Sequence, residues 1–270
     1  FNSITSQRNA GIVNHNLGGN LQKISSGMRI NNAADDAAGL AIANSLSADY
    51  NALSQAVRNA NDGIGIVQIA DGAFSRMGDM LSRASTLATQ AASDTIGDNE
   101  RRMIDTEFQQ ILEEIDRVID TTNFKGERLF SDNETVNKSL YVGDTHIQST
   151  IDLSIGGVSG SGTEAMGLDG TSLRTASDAQ STLSRLQDAI GNVSQWRGVL
   201  GAQHNRLENS INIIQVQSQN ILAAESAIRD TNMAEEMSRF TNNKILLQSS
   251  MATIAQSNAT SAMVLSLFGK

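Results

Sequence analysis

The sequence predicts a mainly α protein in which long helices from both ends of the chain form an antiparallel, coiled-coil rod with a small β-hairpin insert. Apolar residues recur at every seventh position in both halves of the chain, as they do along a coiled-coil seam. The 270 residues include no proline, although average usage of roughly 5% would give about thirteen. Long uninterrupted helices are therefore permitted almost anywhere. The alternation and turn residues that are typical of short strands occur only near the middle.

The first long helix is predicted over residues 36–93. Its apolar residues at seven-residue spacing are Leu46, Leu53, Ala60, Val67, Phe74, Leu81 and Ala88. A second apolar row shifts by one position after Ile64, as at a small discontinuity in a coiled coil. Asp62-Gly63 and Asp71-Gly72 are turn-forming pairs. The first row crosses both pairs without a change of phase, so we predict one continuous helix.

A shorter, antiparallel helix is predicted to follow, with Asp98 as its N-cap. Its apolar residues at helical spacing are Ile104, Phe108, Ile111, Ile115 and Val118. Glu113 and Arg117 are four residues apart, so we expect them to form an ion pair on the helix surface.

The second half of the chain repeats the pattern of the first. Seven successive heptad positions are apolar: Leu186, Val193, Leu200, Leu207, Ile214, Ile221 and Ile228. Between the two long helices, Leu140 to Val142 and Ile147 to Ile155 resemble short strands around a Gly143-Asp144 turn. We therefore predict two long helices with matching seams and a small β-hairpin between them.

The two ends of the chain are predicted to form a further pair of amphipathic helices, each of roughly 28 to 36 residues. The apolar residues on one side are Ala10, Leu17, Leu21, Ile24 and Met28, and those on the other are Met237, Phe240, Leu247, Met251, Ile254 and Phe268. Such a pair alone in water would expose much of its apolar surface. It either folds back on the rest of the chain or packs against copies of itself, and the second option predicts a polymer.

Charge and composition exclude several classes of function. The formal net charge of −9 and the lack of any basic run argue against nucleic acid as a partner. No stretch of about 18 apolar residues is present, so we expect no membrane partner. We also expect no cleaved Sec signal. The chain has no cysteine, so disulfides and thiol catalysis are excluded.

No motif predicts catalysis, a cofactor or a metal. The adjacent carboxylates of Asp35-Asp36, Glu113-Glu114 and Glu235-Glu236 do not face one another on a helix. His15, His146 and His204 lack ligand spacing. The Gly63-Ile64-Gly65 segment lacks the third glycine and the preceding strand of a dinucleotide-binding loop. We therefore expect a protein that is not an enzyme.

Three long motifs carry a resemblance to a known family. SSGMRINNAADDAAGLAIA, from Ser25 to Ala43, resembles the N-terminal signature of bacterial flagellins, the subunits of flagellar filaments. IRDTNMAEEMSRF, from Ile228 to Phe240, resembles their C-terminal signature. EEIDRVIDTTNFKGERLF, from Glu113 to Phe130, matches a third block. The resemblance covers the chain except for residues 131–175.

The resemblance implies a domain organisation. Residues 1–35 and 231–270 would form an inner coiled-coil domain that lines the channel of the filament. Residues 36–130 and 176–230 would form a helical rod domain, with residues 131–175 as its β-hairpin region. The outer variable domain of larger flagellins would be absent.

The same resemblance implies a function and a set of partners. The chain would be exported unfolded through a type III apparatus and would polymerise with other copies into an extracellular, helical tube for swimming motility. Its further partners would be an export chaperone, the filament cap and the hook-junction proteins.

Two groups of site residues follow from these arguments. The terminal helices are the candidate polymerisation interface, with Leu17, Leu21, Ile24, Met28, Phe240, Leu247, Met251, Ile254 and Phe268. The segment LSRASTLATQAA, from Leu81 to Ala92, resembles the patch by which Toll-like receptor 5 recognises flagellin monomers. The residues at matching positions are Arg83, Leu87 and Gln90, joined by Glu114 from the next helix.

Two alternatives to a filament subunit differ in what they require. A hook-filament junction protein would share the terminal helices, but the MAEEM block and the complete SSG to AIA block favour flagellin. A secreted enzyme on a helical scaffold would need a pocket with converging polar groups, and the sequence shows no such constellation.

Overall fold

Ten helices and strands are described in the computed structural model, which covers residues 2–130, 136–143, 149–155 and 162–268. The helices are α1 (Asn2–Ser26), α2 (Ala37–Ala91), α3 (Asp98–Thr121), α4 (Gly162–Ala165), α5 (Ala176–Arg229) and α6 (Met233–Phe268). The strands are β1 (Asn123–Phe124), β2 (Glu127–Arg128), β3 (Val136–Tyr141) and β4 (Thr150–Ile155). The predicted class is confirmed, since long helices dominate and the strands form two small antiparallel hairpins.

The chain divides into two compact units. We call residues 1–50 and 219–270 the terminal unit, and residues 51–218 the central unit. The boundaries fall inside the two longest helices, α2 and α5. Both halves of the chain therefore contribute to the terminal unit.

In the central unit, α2 and α5 pack through the predicted seams. The seam residues that are buried there are Leu53, Ala60, Val67, Phe74, Leu81 and Ala88 in α2, and Leu186, Val193, Leu200, Leu207 and Ile214 in α5. The Phe74 ring lies 5.1 Å from the Phe130 ring and 5.4 Å from the Trp196 ring, measured between centroids. Helix α2 continues through Asp62-Gly63 and Asp71-Gly72, so the prediction of one long helix is confirmed.

Helix α3 begins at Asp98, but its N-cap is Gly97 and not Asp98 as predicted. The Glu100 carboxylate accepts the Gly97 N–H at 2.7 Å, so the side chain that closes the helix start comes from the third helical position. The buried Arg101 side chain donates to the carbonyl oxygens of Ala91 and Ser93, both at 2.9 Å. The first bond satisfies the last carbonyl of α2, which has no intrahelical partner, and the second holds the segment that follows the helix.

The predicted ion pair between Glu113 and Arg117 is wrong. Arg117 Nε instead donates to Glu114 Oε2 at 2.6 Å. Residues three apart are neighbours on a helix surface just as residues four apart are. Spacing alone therefore could not decide between two adjacent glutamates.

The predicted hairpin is present with shifted bounds. Strand β3 begins at Val136, before the predicted Leu140, and its partner β4 begins at Thr150. Ile147, where the second strand was predicted to start, lies outside the described residues, as does His146. The β1–β2 hairpin was not predicted; its two turn residues, Lys125 and Gly126, both have positive φ, as a type I′ turn requires.

Helices α1 and α6 pack against each other in the terminal unit. The Asn243 amide nitrogen lies 3.5 Å from the Asn20 side-chain oxygen. Among the described residues of this unit, the buried apolar side chains are Ala10, Ile30 and Ala43. Two of these three are alanines, so the apolar core of the unit is thin.

Candidate functional site

The terminal helices expose many large apolar side chains to water. The exposed large apolar residues of α1 are Ile4 (72%), Ile12 (54%) and Leu21 (56%). Those of α6 are Met233 (43%), Met237 (45%), Ile245 (57%), Leu246 (53%), Met251 (59%) and Met263 (61%). At 3.6 residues per turn, Ile245, Leu246 and Met251 point to three different sides of α6. One partner helix cannot cover all three.

This surface also lacks charge. Residues 245–268 contain no Asp, Glu, Lys or Arg, and the charged side chains of α1 are Arg8 and Lys23 with no acid. Large apolar side chains that point to several sides of a helix need several neighbours to be buried. Among the described residues, the helix with extensive contact to α6 is α1. The arrangement therefore suits a helix that other chains surround.

The predicted interface residues divide into two groups. Leu17, Ile24, Phe240, Leu247 and Ile254 are half-buried, and in α6 these residues share the side of the helix that carries Asn243, which reaches α1. Leu21 and Met251 are exposed and available to another chain. Met28 is half-buried and forms an antiparallel bridge with Asp230. The Phe268 side chain lies outside the described residues.

Several exposed large apolar residues of the terminal helices were not predicted, among them Ile4, Ile12, Ile245, Leu246 and Met263. A heptad row finds the seam between two helices, and these residues lie off that row. The charge-free run of residues 245–268 is the signal that could have found three of them.

A cluster of backbone hydrogen bonds joins the two chain segments that connect the terminal helices to α2 and α5. We call it the clasp. Thr231 N donates to Gly27 O at 3.0 Å, and Arg29 N donates to Arg229 O at 2.6 Å. Arg29 Nη2 donates to Ile228 O at 2.8 Å, which places a cation at the C-terminal end of α5, where it interacts favourably with the helix dipole. Gly27 has φ of +73°, which favours glycine.

Asp35 closes the segment between α1 and α2. Its Oδ2 accepts the Asn31 N–H at 3.1 Å and the Asn32 N–H at 3.0 Å. The Asn32 amide, and then that of Asn31, hold the pKa of Asp35 below its ordinary value because both bonds favour the ionised carboxylate. Asp35 therefore holds this turn in place.

The receptor-recognition candidates do not share one environment. The Arg83 guanidinium is half exposed and lies 2.6 Å from Glu107 Oε1 on α3. Gln90 is exposed. Leu87 is only 2% exposed, inside the central unit. Glu114 is half-buried and paired with Arg117, whose guanidinium lowers the pKa of the Glu114 carboxyl through a side-chain hydrogen bond.

The described residues contain no group of three or more His, Cys, Asp and Glu side chains placed to hold a metal. Gly63-Ile64-Gly65 lies within α2, not in a loop that could hold a phosphate. No helix within the described ranges combines the length and the apolarity that crossing a membrane requires.

Comparisons with known proteins cover nearly the whole chain. Residues 1–135 match the family model of the bacterial flagellin N-terminal helical region, and residues 183–268 match that of the C-terminal helical region. A flagellin from Halalkalibacterium halodurans is 39% identical over 98% of this chain and 96% of its own length. The flagellar filament 30.7 kDa core protein of Treponema maltophilum is 34% identical over 99% of this chain and 97% of its own.

Solved structures agree with these relatives. A crystal structure of Bacillus cereus flagellin matches with a TM-score of 0.52 and 26% identity, over 62% of this chain and 94% of that one. A putative flagellar hook-associated protein from Vibrio parahaemolyticus matches with a TM-score of 0.59 over 73% of this chain and 100% of that one. Its identity of 15% shows a shared fold alone.

Proposed function

This chain belongs to the bacterial flagellin family and is a structural subunit of the flagellar filament, and we propose that α1 and α6 form the surface through which its copies polymerise. The observation that carries the proposal is the set of large apolar side chains that α6 exposes on several sides. Side chains such as Ile245 and Leu246 are more than half exposed in the single chain. Burying them between neighbouring subunits removes apolar area from water, which stabilises the polymer by roughly 25 cal/mol for each Å² buried.

We also propose the domain organisation that the family resemblance implies. Residues 1–35 and 231–270 form the inner domain, residues 36–130 and 176–230 the rod domain, and residues 131–175 its β-hairpin region. The clasp supports the first boundary, because the chain leaves helical structure near Gly27 and again near Thr231, and a hydrogen bond joins the two positions. The inner domain would line the channel of an extracellular tube.

The test places one charge on the exposed side of α6. Ile245→Asp should abolish polymerisation without lowering the melting temperature of the monomer, because the Ile245 side chain is already 57% exposed. Ile245→Leu, which keeps an apolar side chain, should polymerise like the original protein. Sedimentation and negative-stain microscopy measure polymerisation, and circular dichroism measures melting.

Two results would overturn the proposal. The first is Ile245→Asp protein that polymerises at the same critical concentration as the original. The second is original protein that forms no long filaments by itself at high concentration, which would favour the hook-filament junction alternative. Leu247→Asp and Ile254→Asp are weaker tests, because their half-buried positions make a loss of monomer structure a second cause.

The proposal extends to the partners in export and assembly. We propose that the chain leaves the cell unfolded, and that an export chaperone holds α6 before the filament cap and the hook-junction proteins receive the subunit. The exposed apolar surface of α6 supports the chaperone step, since an unassembled chain needs that surface covered. A truncation that ends at Thr231 should lose chaperone binding in a pull-down; retained binding would locate the contact elsewhere.

Receptor recognition is a second candidate function of the monomer. We propose that Toll-like receptor 5 contacts Arg83 and Gln90, which are exposed on α2, together with the half-buried Glu114 on α3. Arginine is a common hot-spot residue at protein interfaces. Leu87 is buried, so Leu87→Ala would act mainly by loosening the central unit.

The receptor test therefore uses the exposed residues. Arg83→Ala with Gln90→Ala should weaken activation of reporter cells by monomer, and filament should activate much less. Glu107→Gln is the matched control, because it removes the ion pair of Arg83 and keeps the guanidinium. A silent original monomer, or a double variant as active as the original, would contradict the proposal.

A further inference from the structure

The exposed methionines of this chain are concentrated on its candidate polymerisation surface. The sequence contains nine methionines and no cysteine. Five of the methionines are more than 40% exposed, and four of these five lie on α6: Met233, Met237, Met251 and Met263. The fifth is Met103 on α3, which is 77% exposed.

Three of the four α6 methionines share one side of the helix. Met233 and Met251 are 18 residues apart in the sequence, about five complete turns, so they point in the same direction. Met237 follows Met233 by about one turn. Met263 is 61% exposed on an adjoining side. We call these four residues the methionine row.

An exposed thioether reacts with peroxides. The sulfur lone pair attacks one peroxide oxygen, the O–O bond breaks, and an S=O bond forms. Sulfur is oxidised by two electrons, and the peroxide is reduced to water or to an alcohol. No cysteine in this chain competes for the oxidant. The product, methionine sulfoxide, is polar and chiral.

The effect of oxidation on assembly depends on whether the sulfoxide is in water or buried between subunits. In the free subunit the methionine row is in water, so the oxidised side chains are well solvated. Between subunits a sulfoxide oxygen without a hydrogen-bond donor would lose that solvation, which costs free energy. Sulfoxides also lose the adaptable apolar packing of the thioether.

We propose that the methionine row is a peroxide-sensitive modification site that blocks assembly of the free subunit and becomes protected in the filament. The inference rests on the proposed role of α6 in polymerisation. The order of events decides the outcome. Peroxide that meets the subunit before assembly prevents polymerisation, and peroxide that meets the filament leaves the row reduced.

The experiment treats monomer with hydrogen peroxide, removes the peroxide, and measures the critical concentration of polymerisation by sedimentation. The critical concentration should rise about tenfold or more, since each buried polar group without a partner weakens association by about that factor. Peptide mass spectrometry should find sulfoxide at Met233, Met237, Met251 and Met263 after treatment of monomer. After treatment of filaments it should find those four reduced and Met103 oxidised.

Two variants make the result specific. A variant with all four row residues changed to Leu should polymerise equally well before and after peroxide. Met103→Leu is the matched control, because Met103 is more exposed than any member of the row, and this variant should remain as sensitive as the original. Should the untreated fourfold variant fail to polymerise, enzymatic reduction of the sulfoxides in oxidised original protein replaces it, and restored polymerisation is expected.

Three outcomes would overturn the inference. Oxidised original protein could polymerise normally, or the fourfold variant could lose polymerisation on oxidation. The third is oxidised protein that still fails to polymerise after its sulfoxides have been reduced. Failure of the proposed function looks different. In that case Ile245→Asp also polymerises, whereas failure of this inference alone leaves Ile245→Asp unable to polymerise.

Discussion

The terminal and central units use the same kind of sequence and reach different degrees of burial. Eleven of the twelve largest side chains with less than 2% exposure lie in the central unit, and Ile30 is the exception. The terminal unit is the smaller one, yet it holds eleven of the seventeen exposed large hydrophobic residues among those described. Each seam continues from one unit into the other. Leu53 and Ile214 are buried in the central unit, whereas Leu46 and Ile221 are half-buried in the terminal unit.

The difference teaches that a heptad row specifies a contact and not the partner that makes it. In the central unit, α2 has both α3 and α5 beside it, as the Arg83–Glu107 and Arg197–Asp71 ion pairs show. In the terminal unit, α1 and α6 have mainly each other. The apolar residues that the terminal unit leaves exposed are therefore those that the proposed assembly would bury.

The largest contrast should appear in limited proteolysis of the monomer. Segments with thin cores open locally at little free-energy cost, while segments in a packed core open only with the whole unit. We expect protease to cut within residues 2–30 and 240–268 at least about a hundredfold faster than within residues 180–214. Mass spectrometry of timed digests measures the three rates. Equal resistance of all three segments would show that the terminal helices are as stable alone as the central unit.

The next largest contrast should appear in the free energy of unfolding when leucines of the two units are changed to alanine. Leu207 is 0% exposed in the central unit, so Leu207→Ala should lower the free energy of unfolding by about 2–5 kcal/mol. Leu200→Ala, at 1% exposure, should behave alike. Leu247→Ala is the counterpart in α6 and should cost the monomer less than about 1 kcal/mol, because Leu247 is half-buried. Urea unfolding of the three variants measures the difference, and equal losses would place α6 in the core of the monomer.

Glycines test how tightly each part of α2 is packed. A Cβ on Gly63 would lie 2.2 Å from Leu140 Cδ1 of strand β3, so Gly63→Ala should cost about 1–3 kcal/mol through overpacking. A Cβ on Gly72 of the same helix would meet no atom within 4 Å. Gly72→Ala should therefore stabilise the helix by up to about 1 kcal/mol. Thermal unfolding checks the opposite signs, and two shifts of the same sign would contradict the packing of the hairpin on α2.

The sequence predicts what depends on periodicity and misses what depends on local competition. The long α2 helix was predictable because its apolar row keeps phase across Asp62-Gly63. The N-cap of α3 was not, since Gly97 and Asp98 are both common cap residues and the Glu100 contact with the Gly97 N–H decides between them. The two-residue strands β1 and β2 are too short to show alternation.

The candidate site, too, was predicted only where it depends on periodicity. The seam residues Leu17, Leu247 and Ile254 follow from heptads, whereas outward residues such as Ile245 have no partner in the chain that a period could reveal. For Leu87, the motif and the position on the helix lead to different predictions. A motif placed it at a receptor patch, but its position on the helix places it in the core.

The smallest expected effect concerns the turn between α1 and α2, where the exposed Asp35 carboxylate accepts the Asn31 and Asn32 N–H groups. Hydrogen bonds from the Asn32 and Asn31 amides hold the pKa of Asp35 below its unfolded value. A depressed folded-state pKa contributes stability that is present above the unfolded pKa, about 3.9 for Asp, and is lost as pH falls through the folded pKa. Amide exchange at Asn31 and Asn32 should therefore become less protected as the solution is acidified below about pH 4, after correction for the intrinsic exchange rate. Asp35→Asn keeps an oxygen acceptor and cannot titrate, so its protection should be lower at neutral pH and constant on acidification. Protection in the original protein that does not change across this range would show that the turn forms without the charge on Asp35.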